Sequence, residues 1–451
     1  MKFMNIIFLY NSFKDFFSTD SRGGLLKLNI LTGLVIKGCS MGLSLIFVPL
    51  VLSWLGKSSY GIWLTISSMV SWLSFLDIGL SGGLRLKLQE SMTNGHDEQS
   101  RIYISTTYAI LLFIAFGAFV ITALFLYIWN PNLSDFFQVR SDYEGNLCII
   151  MYLTLGCFFL RFALQPISTI LQADQRNFIQ SFILFTESVI NLIGIFVFRY
   201  LFPGNLVLAC VLFSISPILN LLAYTLVLFA KRYRTIKPSY KYIEIGYIRG
   251  LMNIGVDVFV INIALVLAGM MNNFIITKFF GSNSVTDYNL VYKIYATVGT
   301  LFTLMMTPVW SAFANAYYKN DFTWIDKMLK RLLKYYILFL LLYLVLIPIG
   351  PFIVRIWSGV EVNSWDLYIV SSLYYIIQSF MTIYAFLFNG MGEIKIQRNM
   401  AVFGALVNIP VAYILIRYFD MGPSAAIIGN IVAIVPSIWL YPIKAKRLLS
   451  H

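Results

Sequence analysis

Charged side chains are scarce in this chain of 451 residues: together they make up 12% of the sequence, whereas hydrophobic residues make up 59%. Soluble globular proteins carry about 25% charged residues, so the composition excludes an ordinary soluble domain. Histidine occurs twice and cysteine four times, and neither shows the spacing of a metal site. The cysteines lie in or beside apolar runs and are interpreted as packing residues. We expect no metal and no other cofactor.

Long apolar runs are what the chain has instead. They are about 20 residues long, which is enough to cross a hydrocarbon core roughly 30 Å thick as a helix. Membrane barrels show strands of about ten alternating residues, which this pattern does not resemble. The sequence therefore predicts an all-α polytopic membrane protein of about 12 transmembrane helices. The predicted spans are 29–55, 60–84, 102–129, 146–171, 181–202, 206–230, 250–279, 288–315, 335–357, 366–390, 400–419 and 424–442.

Positive charge is distributed unevenly between the loops. Most of the 33 Lys and Arg residues lie in one alternating set of loops, including the basic segment 231–249. By the positive-inside rule, this asymmetry places both chain termini in the cytoplasm. It also accounts for the net charge of +13 without a nucleic-acid partner, and we predict none. The positively charged residues of the other set of loops are six: Lys57, Arg140, Arg199, Lys278, Arg355 and Arg417.

The two halves of the chain resemble each other. The segments DQRNFIQSFILF and KIQRNMAVFGAL open the fifth and eleventh predicted spans, and each span is followed by a short turn with Gly and Pro. Six spans per half is an even number, so the halves are parallel repeats: two six-helix bundles around a central cavity, as in transporters. The predicted divisions are a cytoplasmic lead-in (1–28), the bundles (29–230 and 250–442), a basic linker (231–249) and a cytoplasmic tail (443–451).

Of the ionisable residues inside the predicted spans, six matter most as functional candidates, and we call them the in-span charges. A charge at this depth is costly, so each is a functional candidate by default. Three are positive and three negative, so their charges sum to zero. They are Lys37, Asp77, Arg161, Glu187, Asp257 and Lys293.

Lys37 and Asp77 lie at similar depths in consecutive antiparallel spans, about 12 Å and 10 Å from the cytoplasmic end. Each sits beside a Gly-x-x-x-Gly spacing, at 38–42 and 79–83, which allows close helix approach. Two interpretations fit. The pair is a structural ion pair that locks the spans together, or Lys37 contacts an anion in the cavity and Asp77 holds it in place.

The remaining four charges leave similar alternatives open. Arg161 suits phosphate geometry, and it is either a substrate ligand or a structural partner of an acid such as Glu187. Lys293 is either a substrate ligand or a snorkelling surface cation. Glu187 and Asp257 either couple transport to H⁺ or Na⁺ or serve as counter-ions. Four in-span asparagines are predicted to hydrogen-bond between helices: Asn191, Asn262, Asn272 and Asn273.

Residues 60–90, YGIWLTISSMVSWLSFLDIGLSGGLRLKLQE, resemble bacterial O-antigen and polysaccharide-repeat flippases of the Wzx type. These belong to the multidrug/oligosaccharidyl-lipid/polysaccharide export superfamily. The resemblance lies in the Tyr-Gly-Ile-Trp entry to the span and its Asp-Ile-Gly-Leu exit, and the chain departs from it at Ser81, Gly82 and Leu86.

The resemblance implies a non-enzymatic flippase of the bacterial inner membrane. Its substrate would be an oligosaccharide on undecaprenyl pyrophosphate, moved to the periplasmic leaflet, with a polysaccharide polymerase as a possible partner. The anionic head group needs a basic path, for which Lys37, Arg161 and Lys293 are the candidates at depth. The polyprenyl tail stays among membrane lipids.

Two rival functions are less favoured. A multidrug antiporter for cationic drugs needs carboxylates in its cavity. The first span carries the cation Lys37 instead, which disfavours this function. A membrane glycosyltransferase or polymerase needs a sizeable outer catalytic loop, and the longest outer loop has about 16 residues (130–145). The segment LGKSS (55–59) lacks the upstream glycine of a phosphate loop, since that position is Val51, so we expect no ATP hydrolysis.

Overall fold

The structure is a computed structural model. It describes the backbone of residues 22–77, 80–129, 132–139, 144–393 and 395–449. Within these ranges, the side chains at 22–32, 34, 75, 129, 144, 245, 248–270, 307–308, 311 and 318 lie outside the described part.

The described residues form helices joined by short turns, and they include no strand. The first half contains α1 (Arg22–Leu55), α2 (Lys57–Trp72), a 3-10 segment (Leu73–Asp77), α3 (Leu80–Thr93), α4 (Asp97–Trp129), α5 (Leu133–Phe137), α6 (Glu144–Leu164), α7 (Pro166–Ala173), α8 (Asn177–Leu201) and α9 (Leu206–Lys231). The second half contains α10 (Ile248–Tyr318), α11 (Phe322–Ser358), α12 (Trp365–Met391), α13 (Lys395–Phe419), α14 (Ala425–Ile434) and α15 (Pro436–Leu449).

Nine helical segments of the described chain are long and apolar enough to cross a membrane. The all-α polytopic fold is therefore confirmed. The second predicted span differs from expectation, because the 3-10 segment Leu73–Asp77 interrupts it between α2 and α3. The seventh and eighth predicted spans run together as α10, which bends at Gly281.

Two of the helix interruptions have a visible local cause. Gly281 has φ 78°, a left-handed conformation that costs glycine little and other residues more. A proline lacks the N–H that would continue the helical ladder and clashes with the preceding turn. Accordingly, α7 begins at Pro166 directly after α6, and α15 begins at Pro436 directly after α14.

The Gln-Arg-Asn similarity between the halves is only partly reflected in local structure. In the first copy, Gln175 takes a left-handed φ of 57° and α8 begins at Asn177. In the second copy the motif lies inside the first turn of α13, where Gln397 donates to the Asn389 side chain at 2.9 Å. The motif lies at a helix start in both halves, but it lies four residues further into the helix in the second half, where Asn399 is the fifth residue of α13.

The described residues group into two compact units. One contains the described residues within Met1–Leu50, Leu76–Pro131 and Ile149–Val256, and the other contains those within Val51–Phe75, Asn132–Cys148 and Asp257–His451. The predicted bundle boundaries, 29–230 and 250–442, stay a prediction.

In the first unit, polar contacts tie helices and linker together. Asn191 of α8 accepts from Ser216 of α9, and Thr186 donates to Asn220 at 3.2 Å. The basic linker lies along the start of α4, where the Arg101 guanidinium donates to the Lys237 carbonyl at 2.9 Å. The linker is thus held to the first unit.

In the second unit, small and polar residues allow helices to approach closely. Asn408 of α13 donates to Asn430 of α14, and both side chains are buried. A Cβ at Gly429 would lie 2.7 Å from the Asn408 carbonyl oxygen, so this crossing requires glycine. Tyr343 of α11 and Ser379 of α12 share a hydrogen bond of 2.9 Å. Such bonds satisfy polar groups where lipid offers no partner.

Candidate functional site

An ion pair lies within the first unit, between the fourth and fifth predicted spans. Arg161 Nη2 is 3.0 Å from Glu187 Oε2, with 42% of the Arg161 side chain and 17% of the Glu187 side chain exposed. The structure contains the pairing of Arg161 with Glu187 that the sequence named as one alternative, and the substrate role of Arg161 stays a prediction. A guanidinium carries five N–H donors, more than the bond to Glu187 uses.

Local sequence explains where Arg161 stands. It occupies the last turn of α6, and the helix stops at Leu164 because Pro166 begins a separate helix. A cation in the last turn is favoured by the negative end of the helix dipole. The arginine is therefore stabilised by its own helix as well as by Glu187.

Lys37 and Asp77 do not pair in this structure. Among the described residues they form no salt bridge. The Asp77 carboxylate instead accepts from Ser81, at 2.8 Å from the hydroxyl and 3.3 Å from the backbone N–H. Asp77 thus stabilises the first turn of α3, whose N–H groups have no helical partner. The Lys37 side chain is exposed.

A Gly-x-x-x-Gly spacing lies beside Lys37, at 38–42, and another lies beside Asp77, at 79–83. A Cβ added at Gly38 or Gly42 would meet no described atom within 4 Å. The close helix contact expected at this spacing is therefore not seen among the described residues, and it stays a prediction. Gly79 lies outside the described residues, so the second spacing stays a prediction.

Lys293 lies in α10 of the second unit, on a stretch rich in tyrosine. Its side chain is half-buried. Tyr292 and Tyr295 each pack against Tyr375 of α12, with ring centroids 5.4 Å and 6.3 Å apart. These rings pack α10 onto α12 and fix the rotation of the helix that carries Lys293.

Asp257 lies on α10, but its side chain lies outside the described residues, as does that of Asn262. The other three asparagines hydrogen-bond between different predicted spans. Asn191 accepts from Ser216. Asn272 donates to Tyr288 at 3.1 Å across the bend of α10, and Asn273 donates to Ser68 of α2 at 2.7 Å.

The sequence reasoning missed an extended contact between α2 and α10 within the second unit. Lys57 Nζ lies 2.7 Å from the Asp287 carboxylate, and Ser58 Oγ lies 3.0 Å from Ser282 Oγ. Further along, Thr65 Oγ1 lies 2.6 Å from Thr277 Oγ1. We call this row of contacts the α2–α10 clasp, defined by residues 57–72 on α2 and 273–287 on α10.

Gly61 is the closest point of the clasp. A Cβ at this position would lie 1.9 Å from the Ser282 carbonyl oxygen, which leaves no room for any other residue. The Tyr-Gly-Ile-Trp motif was a usable signal, because a glycine inside a helix costs about 1 kcal/mol and calls for a packing reason. The partner helix could not be named from the sequence, since it lies more than 200 residues away.

Within the described residues, no group of three or more His, Cys, Asp or Glu side chains gathers as a metal site. Among the in-span charges with described side chains, Arg161 and Glu187 form an ion pair. The arrangement offers guanidinium and ammonium donors to an anion, and one carboxylate, Asp77, that has no salt bridge among the described side chains.

Solved structures with the same fold are transporters. A multidrug resistance MATE family transporter of the MOP superfamily, in an inward-facing conformation, matches with a TM-score of 0.71 and 15% identity, over 90% of this chain and 95% of that one. The outward-facing conformation of a multidrug resistance MATE family transporter matches with a TM-score of 0.64 and 14% identity. The match covers 94% of this chain and 96% of that one. A third match is a MOP superfamily transporter from Pyrococcus furiosus, whose reversed pocket polarity suggests a different function. Its TM-score is 0.58 at 15% identity, and the match covers 93% of this chain and 94% of that one. At these identities the likeness establishes the fold.

A search of the curated proteins finds no match. The family model described as polysaccharide biosynthesis protein matches residues 26–313. This range covers well over half of the chain and includes all six in-span charges. By this match, the chain is a multi-pass membrane protein that belongs to the polysaccharide biosynthesis protein family.

Proposed function

We propose that the protein is a flippase for an oligosaccharide carried on undecaprenyl pyrophosphate, which it moves from the cytoplasmic to the periplasmic leaflet by alternating access. The observation that carries this proposal is the polysaccharide biosynthesis family match over residues 26–313. The fold, shared with MOP superfamily transporters, supports the transport mechanism. The protein acts as a transporter and catalyses no bond cleavage.

The in-span charges fit an anionic head group better than a cationic drug. Glu187 already has a counter-ion in Arg161, whose side chain is 42% exposed. Lys37 and Lys293 supply two further ammonium groups, whereas Asp77 is the one described in-span carboxylate without a salt bridge. In this proposal Arg161, Lys37 and Lys293 interact with the pyrophosphate as it passes.

Alternating access also requires contacts between the two sequence halves to open and close. The α2–α10 clasp joins the second predicted span to the seventh and eighth, at the end that the charge pattern predicts to be periplasmic. Its polar contacts are individually weak, each about 1 kcal/mol net, so they can exchange with water during transport. We propose that the clasp opens when the substrate is released.

A second candidate function is a cation-coupled multidrug antiporter. The fold of the MATE family transporters favours it, as does Asp77, whose carboxylate has only Ser81 as a partner among the described residues. A drug antiporter would use such a carboxylate for a cationic drug or a coupling ion.

The test separates the two functions in cells. The wild-type gene is expressed in a strain that lacks its own O-antigen flippase, and in a strain that lacks its drug exporters. Surface polysaccharide restored without dye extrusion is the expected result. Lys37→Ala and Arg161→Ala are expected to abolish the polysaccharide while still inserting. Arg355→Ala, which removes an exposed arginine from the last turn of α11, serves as the control. Normal polysaccharide from both in-span variants would refute the basic path, and dye extrusion alone would establish the antiporter.

A further inference from the structure

A groove lies in the second unit, between the first turns of α11 and the last turns of α15. Its volume is about 610 Å³. The apolar part of its wall is formed by Phe322 and Leu329 of α11 and by Pro442 and Leu449 of α15. Two cations, Lys327 and Lys446, line it from opposite helices. This volume lies within the range that is usual for ligand pockets in proteins.

The charges of the groove are unbalanced. Its one acid, Asp326, is paired with Lys330 at 2.6 Å. Lys444, next to the groove on α15, is paired with Glu393 at 3.4 Å. Lys327 and Lys446 are exposed and have no salt bridge among the described residues. The groove therefore presents two positive charges beside an apolar wall.

The position of the groove matches a membrane interface. It lies where α11 enters and α15 leaves the apolar part of the fold, at the end that the loop charges predict to be cytoplasmic. On α15, the large side chains of Trp439 and Ile443 are 62% and 50% exposed, which is typical of residues that face lipid. The ammonium groups of long lysine side chains settle at this depth.

We propose that the groove binds an anionic phospholipid of the cytoplasmic leaflet, with its phosphate between Lys327 and Lys446 and the upper part of one acyl chain against the apolar wall. Charge complementarity carries the choice of occupant, because basic pockets between transmembrane helices on the cytoplasmic side suit anionic head groups. A soluble anion would use the lysines but leave the apolar wall in water. A neutral lipid would use the wall but leave both lysines without a partner.

This lipid site is distinct from the proposed transport path, because none of its residues belongs to the in-span charges. It makes a separate prediction: the lipid stabilises the protein without being moved by it. The same chemistry, an anionic head on an apolar tail, is also found in a polyprenyl phosphate. A titration with undecaprenyl phosphate distinguishes that source from a phospholipid.

The full chain is purified in detergent, stripped of lipid and titrated with phosphatidylglycerol, phosphatidylcholine, undecaprenyl phosphate or inorganic phosphate, with bound lipid counted by native mass spectrometry. We expect a one-lipid adduct with phosphatidylglycerol and little with phosphatidylcholine or inorganic phosphate. The double variant Lys327→Gln/Lys446→Gln is expected to bind phosphatidylglycerol at least tenfold more weakly, since each lysine near the surface contributes roughly a factor of five.

Two further variants complete the test. Lys237→Gln/Lys241→Gln removes the same charge from the linker and is expected to bind as wild type does. Thr323→Trp leaves the charge unchanged but fills the groove with a large side chain, and it is expected to weaken binding as the double lysine variant does. Wild-type binding by the double lysine variant would overturn the proposal. So would equal binding of phosphatidylcholine, or full displacement of phosphatidylglycerol by equimolar undecaprenyl phosphate.

Discussion

Arg161 and Glu187 form an ion pair between α6 and α8, with Nη2 and Oε2 3.0 Å apart. The pair assigns a structural partner to Arg161, and 42% of the Arg161 side chain remains exposed. The two roles are separable, because a structural pair needs only opposite charges, whereas a phosphate ligand needs the arginine itself at its own position.

Exchanging the two charges tests these roles directly. Arg161→Glu alone places two carboxylates together, and we expect poor insertion and loss of export. The swap Arg161→Glu/Glu187→Arg restores the pair, so we expect insertion and thermal stability to recover. If Arg161 also contacts substrate, export of polysaccharide stays below about a tenth of wild type, a loss of roughly 1.4 kcal/mol. Full recovery of export would show that the pair is structural only.

The α2–α10 clasp predicts an inhibitory crosslink. Ser58 Oγ and Ser282 Oγ lie 3.0 Å apart, so cysteines at these positions are close enough to form a disulfide. In a variant without the four native cysteines, we expect oxidation of Ser58→Cys/Ser282→Cys to block export and reduction to restore it. Export that continues through the oxidised protein would show that the clasp stays closed during transport.

A matched control exists in the first unit. Ser91 Oγ and Ser100 Oγ lie 2.8 Å apart, at the junction of α3 and α4. The variant Ser91→Cys/Ser100→Cys joins neighbouring helices within one predicted bundle. We expect its oxidation to leave export unchanged, which separates the effect of closing the clasp from that of oxidation itself. Gel mobility after alkylation measures how much of each protein is crosslinked.

Gly61 predicts a site at which the smallest substitution is harmful. Its Cβ position lies 1.9 Å from the Ser282 carbonyl oxygen, so Gly61→Ala forces α2 and α10 apart. Overpacking of this kind costs about 1–3 kcal/mol. We expect a clear fall in the thermal unfolding temperature of the detergent-solubilised protein.

Gly117, in α4, is the matched control for Gly61. It is also a helical glycine in a span, but its Cβ position has no described atom within 4 Å. Because alanine is the better helix former, Gly117→Ala is expected to leave the unfolding temperature equal or slightly higher. Equal losses at both positions would contradict the close contact at Gly61.

Asp77 predicts a difference between two substitutions. Its carboxylate accepts from the hydroxyl and the backbone N–H of Ser81 at the start of α3. Asparagine keeps an acceptor for these donors, whereas alanine does not, and loss of such a cap costs about 1 kcal/mol. We therefore expect Asp77→Ala to lower the unfolding temperature more than Asp77→Asn does. If both variants are stable but neither exports, the charge of Asp77 has a further role in transport.

Asp321 predicts a pH effect in a loop outside the spans. The Trp324 backbone N–H and the Thr323 hydroxyl donate to its carboxylate, which lowers its pKa. Because the folded pKa is lowered, the contribution to stability is present above the unfolded pKa, near 3.9, and is lost as pH falls through the lower folded value. We expect the stability difference between wild type and Asp321→Asn, measured by thermal unfolding, to shrink below about pH 4.

The helical class, the number of apolar runs and the predicted orientation follow from the sequence. Apolar runs of membrane length and a charge bias between loops are local properties, which do not depend on what packs against what. For Arg161 the sequence named two roles, a substrate ligand or a partner of an acid such as Glu187, and the structure contains the second contact. The interruption of the second span at Leu73–Asp77 was not predicted, because the segment LSFLD contains no proline or glycine to mark a helix break.

Tertiary structure decided the long-range contacts. The sequence suggested that Asp77 faces Lys37, but the nearby Ser81 supplies hydrogen bonds at no cost in chain ordering, and the structure has Asp77 with Ser81. Gly38 and Gly42 carry the spacing of a helix contact yet touch nothing described, whereas the single Gly61 lies against Ser282, more than 200 residues away. A glycine spacing only permits close approach. Which helix approaches is decided by the summed packing of both helices, which the sequence of one segment does not contain.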